Sequence, residues 1–261
     1  LPTQAVGKLF TLHQRGQSLL TCRLDVVDEL CHAVFIFYAG EVMSAVSSIA
    51  ETQVTVQNAL QQAQIETVPF RYWDVQGLLP EHVRKEMLDI VLPRAENFIY
   101  DGTRAGDAQD QPDDALPPKR MFINNKLCGH YPFFAALKDA MLSEPVLSLV
   151  QEKFGLDARG LYLRIEYIND YDGFYLAPHK DIGEKKLTLF YYLNNCPEHL
   201  GTDFYDKDLN WVKSATFAPN RGFLFIPADD TWHGLEKKPF EGRRAALLIN
   251  YVSFPTDFPV S

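Results

Sequence analysis

His179 and Asp181 stand two residues apart in the stretch LAPHKDIGEKKLTLFYYLNN, 176–195, directly ahead of a β-rich run. On an extended strand, side chains two apart leave from the same face, so an imidazole and a carboxylate would point into one space. Further along the chain, the segment DDTWHGLE carries His233, just beyond the strand-like GFLFIP. Strands distant in sequence lie side by side in a β-sandwich, so His233 can complete the set. Two imidazoles and one carboxylate on one side of a metal leave the other positions open. That donor set suits non-haem Fe(II) and oxygen chemistry. Taken alone, His-x-Asp is a weak signal. The bland reading is a His–Asp hydrogen bond with a separate surface histidine.

A fourth element raises the specificity. GRRAALLINYV begins shortly after His233 with two arginines. A buried guanidinium is costly unless it meets an anion, and its planar fork matches a carboxylate two-pronged. Strand alternation puts Arg244, Ala246, Leu248 and Asn250 on one face, and Arg243, Ala245, Leu247, Ile249 and Tyr251 on the other. The first face, with small Ala246 and polar Asn250, suits a ligand-lined interior. It favours Arg244 as the anion anchor, with Arg243 as the alternative.

The elements that must position these residues change character along the chain. Apolar spacings of three and four over 20–66 predict helices, and PEHVRKEMLDIVLPR, 80–94, predicts another between two prolines. AVFIFYAG, 33–40, is the most apolar stretch; it is too short to span a bilayer and reads as a buried helix. DGTRAGDAQDQPDDALPP, 101–118, is acidic and Pro-rich and reads as a solvated loop. Two short helices broken at SEP are expected over 133–155. From 160 onward the period becomes two. GLYLRIEYI, GFYLAP, KKLTLFYYLN, TDFYD, WVKSATF, GFLFIP and RRAALLINYVSF are separated by turn signals and predict a sandwich or jelly roll.

The expected fold class is therefore mainly β with flanking helices (α+β): a jelly-roll core over 160–261, helices and the acidic loop supporting it over 67–159, and a helical region of unassigned role over 1–66. The N-terminal helices offer a surface for self-association.

The chain has 261 residues, of which 34 are acidic and 25 basic, for a formal net charge of −9. That balance argues against a protein built to hold nucleic acid, whose phosphates demand a basic surface. The cysteines, Cys22, Cys31, Cys128 and Cys196, form no C-x-x-C pair and no disulfide framework. The opening LPTQAVGKLFTLHQRG does not read as a secretory signal. A cytoplasmic protein with a small-molecule substrate, no nucleic acid and no membrane partner is the expectation.

The constellation resembles the Fe(II)- and 2-oxoglutarate-dependent dioxygenases, which carry their sites on a double-stranded β-helix (jelly roll). His179, Asp181 and His233 match the family's metal triad, and Arg244 its oxoglutarate-anchoring arginine. LTLFYYLN, 187–194, looks like the corresponding strand of the prolyl hydroxylases. The resemblance covers about 160–253 and is nearest to bacterial members found among sugar and natural-product genes. It implies that Fe(II), 2-oxoglutarate and O2 are needed, that Tyr192 and Thr188 assist Arg244 at the far carboxylate of oxoglutarate, and that a small polar metabolite, sugar or biosynthetic intermediate is hydroxylated with release of succinate and CO2.

There are two departures to note. LGTDF stands where prolyl hydroxylases carry Gly-Gly, so peptide specificity does not transfer. Asp181 stands where related halogenases have a small residue, so halogenation is not implied. Tyr167, Arg164 and Trp232 are candidate substrate contacts, although Tyr167 and Arg164 cannot both face inward. Lys185 and Lys186 are expected to face solvent at a strand start. Two other readings compete: a cupin-like metal-dependent isomerase or epimerase, and a non-catalytic glycan-binding jelly roll using Tyr171, Tyr175 and Trp211.

Overall fold

The computed structural model describes residues 13–14, 17–18, 49–90, 120–195 and 199–261. The chain divides into two units, 1–48 and 49–261. In the first, His13–Gln14 pairs antiparallel with Gln17–Ser18. AVFIFYAG and the acidic loop 101–118 lie outside the described residues.

In the second unit, helix α1 runs over 49–62, inside the stretch predicted helical. Strands β1 (Gln64–Glu66) and β2 (Tyr72–Gln76) follow, then α2 (Glu81–Leu88), which starts after Pro80 as predicted. After β3 (Arg120–Phe122) come α3 (Asn125–His130), α4 (Pro132–Met141) and α5 (Glu144–Leu149). The last of these runs on as a π-helical turn, Val150–Phe154. The break between α4 and α5 falls at SEP, where Pro145 lacks the N–H a continuous helix needs. The remaining strands are β4 (Tyr162–Asp170), β5 (Leu176–His179), β6 (Lys185–Tyr192), β7 (Asp203–Tyr205), β8 (Trp211–Ser214), β9 (Arg221–Phe225), β10 (His233–Leu235), β11 (Arg244–Val252) and β12 (Phe258–Pro259).

All pairings are antiparallel. One large sheet has the order β12-β4-β11-β6-β9-β2-β1, with β3 also on β4, and a small sheet has the order β8-β7-β10-β5. The sequence reading missed β1, β2 and β3, which extend the large sheet from outside the 160–261 region. The alternating TVPFRYWDVQG was the available signal for β2, but the helices around it drowned the period.

Two apolar clusters explain the layers. On one face of the large sheet, Leu163, Ile165 and Tyr167 of β4, Leu187, Leu189 and Tyr191 of β6, and Ala245, Leu247, Ile249 and Tyr251 of β11 pack with helix residues such as Val56, Leu60, Phe134 and Leu137. On the other face, Tyr192, Phe223, Phe225, Ala246 and Leu248 meet Phe204 of the small sheet. The large sheet is thus the middle of three layers, with helices on one side and the small sheet on the other. Every residue of β11 is buried. A slip of one residue would turn its apolar set away from the helices and drive Arg244 among them, so the register is firmly specified. Helix α1 contributes to the same core, tying part of the 1–66 region to the sheet. No described helix is long and apolar enough to cross a membrane.

Candidate metal centre

The candidate ligands come from the small sheet. His179 ends β5 and His233 begins β10, and the two are direct partners in the β5–β10 pair. Their rings lie 4.4 Å apart between centroids. Asp181 sits two residues beyond the end of β5. One ligand atom from each of His179, Asp181 and His233 falls within 4.8 Å of the others. The close approach of the strands depends on Gly234: a Cβ there would lie 2.6 Å from the Leu176 carbonyl oxygen.

Each histidine is oriented through its inner nitrogen. His179 Nδ1 lies 3.0 Å from the Ala177 carbonyl oxygen and His233 Nδ1 lies 2.9 Å from that of Thr231. A carbonyl only accepts, so Nδ1 carries a proton, and in the neutral ring Nε2 is the nitrogen with the lone pair that binds metals. Burial, reinforced by neighbouring cations, pushes His233 down to about 4 against the pull of Asp181, so it is neutral at pH 7. Phe225 packs edge-on against its ring.

Asp181 is held from β6. Lys185 Nζ donates to Oδ1 at 2.7 Å and Thr188 Oγ1 donates to Oδ2 at 2.6 Å. Burial works to raise this carboxyl, but the charges of Lys185 and His233 and these two hydrogen bonds outweigh it. They hold it well below the usual carboxylate range. Lys185 is buried, which corrects the expectation that it faces solvent. It opens β6 opposite Val252 of β11, and its ammonium bonds the Asp181 carboxylate. Lys186 is half-buried and bonds the Gly183 carbonyl. Thr188, expected at the oxoglutarate end, is engaged with Asp181 and accepts from Asn250 Nδ2 at 2.9 Å.

Arg244, Asp181, Lys185, Thr188, His233, Thr202 and Asp170 line one cavity between the sheets. Arg244 faces it from β11, as the alternation predicted. The Arg243 guanidinium turns the other way and donates to the Leu88 carbonyl of α2. Arg244 is closely held: Nη1 donates to Asp170 Oδ2 at 2.6 Å, Nε to the Leu200 carbonyl at 2.8 Å, and Nη2 to Thr202 Oγ1 at 3.1 Å. The rings of Phe190 and Tyr192 lie 4.8 Å and 5.2 Å from its Cζ. The Tyr192 hydroxyl donates to Thr202 Oγ1 and accepts from the Thr202 amide, so Tyr192 reaches this corner through Thr202.

The three candidate substrate residues stand elsewhere. Tyr167 is on the helix face of β4, its hydroxyl donating to the Met87 carbonyl at 2.8 Å. That corrects its placement at the pocket, because odd-numbered residues of β4 face the helices. Arg164 pairs with Glu166 at 3.0 Å and lies over the Phe122 and Phe254 rings. Trp232 carries Lys180 Nζ over its ring at 5.2 Å. None of the three lines the cavity. Sequence reasoning missed Asp170, Thr202, Lys185 and Arg120, which do. For Asp170 and Arg120, the β4 alternation and the LPPKRMF segment held the only signal.

No family model matches the chain, and no curated protein matches it in sequence. Solved structures do resemble it. A prolyl-4-hydroxylase of Pseudomonas putida is 14% identical over 78% of this chain and 100% of that one, with TM-score 0.46. AviO1 from Streptomyces viridochromogenes is 12% identical over 80% of this chain and 98% of that one, with TM-score 0.48. HygX from Streptomyces hygroscopicus, solved with nickel and 2-oxoglutarate bound, is 15% identical over 72% and 84%, with TM-score 0.44. At these identities the likeness assigns no activity to this chain, and the functional reading rests on the site itself.

Proposed function

We propose that the chain is an Fe(II)- and 2-oxoglutarate-dependent oxygenase that hydroxylates a small polar molecule. The observation that carries the reading is the cluster of His179, Asp181 and His233, of which Asp181 and His233 line a cavity that also holds Arg244. Two imidazoles and one carboxylate fit Fe(II) and leave room for other ligands. When bound, the iron with 2-oxoglutarate and O2 supplies the oxidising chemistry, in which oxoglutarate becomes succinate and CO2 and a substrate C–H bond becomes C–OH.

The chain's own part is placement. The Ala177 and Thr231 carbonyls fix the two histidine tautomers. Thr188 and Lys185 hold the Asp181 carboxylate toward the histidines. Arg244 still has two N–H groups beyond the three bonds described, since a guanidinium has five donors, and these would hold the far carboxylate of oxoglutarate. Phe174, Phe190, Phe223, Phe225 and Leu248 line the remaining walls and exclude water.

The three bonds from Arg244 to protein groups also support a second reading, a cupin-like metal enzyme in which this arginine is structural. An anaerobic titration of metal-free protein with Fe(II), then 2-oxoglutarate, separates the two. The visible iron-to-oxoglutarate charge-transfer band is expected for the oxygenase. Iron binding with no band favours the second reading, and no metal binding overturns both.

A further inference from the structure

Asp170 and Arg244 form an ion pair in which each side chain is 3% exposed or less. The other carboxylate oxygen, Oδ1, is buried and accepts no hydrogen bond. Asp170 is the last residue of β4 and Arg244 the first of β11, and the two are directly opposite in the β4–β11 register. Both line the cavity. The arginine that would take a ligand's carboxylate therefore already has a carboxylate of its own, set there by strand pairing.

We infer that Asp170 is a positioning and specificity residue that shares Arg244 with the distal carboxylate of the co-substrate and so weakens, rather than aids, dicarboxylate binding. This rests on the proposed oxygenase reading. The physical grounds are these. With the cavity empty, Asp170 neutralises a buried guanidinium that would otherwise be very costly. The Leu200 carbonyl, Thr202 and the two aromatic rings fix the plane of that guanidinium, so it cannot swing away from Asp170 to meet a ligand. An incoming carboxylate takes the remaining donors and sits beside Asp170, where like charges in a low-dielectric space repel. Part of the favourable charge interaction of Arg244 is already taken by Asp170, and the ligand gains only the remainder.

The consequence is a linkage. Asp170→Asn keeps the shape and one hydrogen-bond acceptor but leaves Arg244 with an uncompensated charge. The variant is then less stable when empty and gains more from a ligand that brings a carboxylate. A role limited to holding the fold would lower stability without favouring any ligand.

The test compares wild type and Asp170→Asn, each loaded anaerobically with Mn(II), by calorimetric titration with 2-oxoglutarate and with 2-oxopentanoate, which keeps the chelating end and lacks the distal carboxylate. The variant is expected to bind 2-oxoglutarate about tenfold more tightly, with its preference over 2-oxopentanoate raised by a similar factor. Its melting temperature is expected to fall without ligand and to rise more on adding 2-oxoglutarate than that of wild type. Asp170→Ser serves as a second neutral variant if the Asn variant does not fold. Equal or weaker 2-oxoglutarate binding by the neutral variants, with wild type binding normally, overturns the inference and leaves the oxygenase reading standing. If no protein binds 2-oxoglutarate, both fall. If only the neutral variants bind it, Asp170 is confirmed as the residue that opposes the dicarboxylate.

Discussion

At the scale of single residues, the site is a set of charges whose protonation the burial controls. His233 is held down to about 4 from an ordinary value of 6.5. In the unfolded chain it takes up a proton below pH 6.5, whereas in the folded chain it does not until about 4. The unfolded state therefore binds more protons in that window, and stability falls as pH drops through it. For metal-free protein the loss from this group alone is about 3 kcal/mol between pH 6.5 and 4. Below that, Asp181 adds to the loss, because its folded-state value lies beneath the unfolded one. Urea midpoints at pH 7 and pH 5 check the prediction, and the pH slope is expected to shrink in His233→Asn. Asp181→Ala is expected to abolish Fe(II) binding and to lower the melting temperature, since it also strips the buried Lys185 of this carboxylate. Lys185→Met is expected to weaken Mn(II) binding by about tenfold, because the ammonium holds Asp181 Oδ1 in place. Unchanged or tighter Mn(II) binding would show instead that its positive charge opposes the metal.

At the scale of elements, the candidate metal centre is built mainly on one strand pair. His179 and His233 face each other because β5 and β10 pair in that register, with an irregularity between His233 and Leu235. Gly234 sits at that irregularity, and no larger residue fits under the Leu176 carbonyl. Gly234→Ala is expected to cost about 1–3 kcal/mol as an overpacked contact. It should also weaken metal binding far more than a surface Ala substitution of similar stability cost, because it separates the two ligands. Denaturant melts paired with Mn(II) titration read both effects. The strand pair was only half legible. His-x-Asp and the later His are local patterns, but Asp181 leaves the strand before it reaches the cluster, so the same-face rule for an extended strand picked out a cluster that forms by a different path. Arg244 was legible because alternation within a single strand needs no tertiary information.

At the scale of the molecule, the large sheet separates the chemistry from the scaffold. Its helix face is built from aliphatic side chains and tyrosines, and its other face from aromatics, small residues and the charged groups of the site. All candidate ligands and all described cavity residues belong to the 49–261 unit, which has its own core. A chain beginning at residue 49 is expected to fold cooperatively and to bind Mn(II) with the affinity of the longer chain, as circular dichroism melts and metal titration would show. A chain beginning at residue 67 is expected to lose stability by several kcal/mol, because it lacks Val56, Leu60 and the rest of the buried face of α1.

The sequence by itself determined which residues could form a metal site. Residue chemistry and short-range period select two histidines, a carboxylate and an arginine, and place the arginine on the correct face of its strand, because both depend only on neighbours along the chain. The tertiary structure alone decided who keeps company with whom. Lys185 looked like a solvent-facing strand start and instead bonds Asp181. Tyr167 looked like a pocket wall and instead seals the helix layer. Asp170 was passed over, since its role arises from the register between β4 and β11. Pairings of that kind are set by the packing of whole sheets, where burying one apolar face fixes the register and every polar residue on the other face must take the partner it is given.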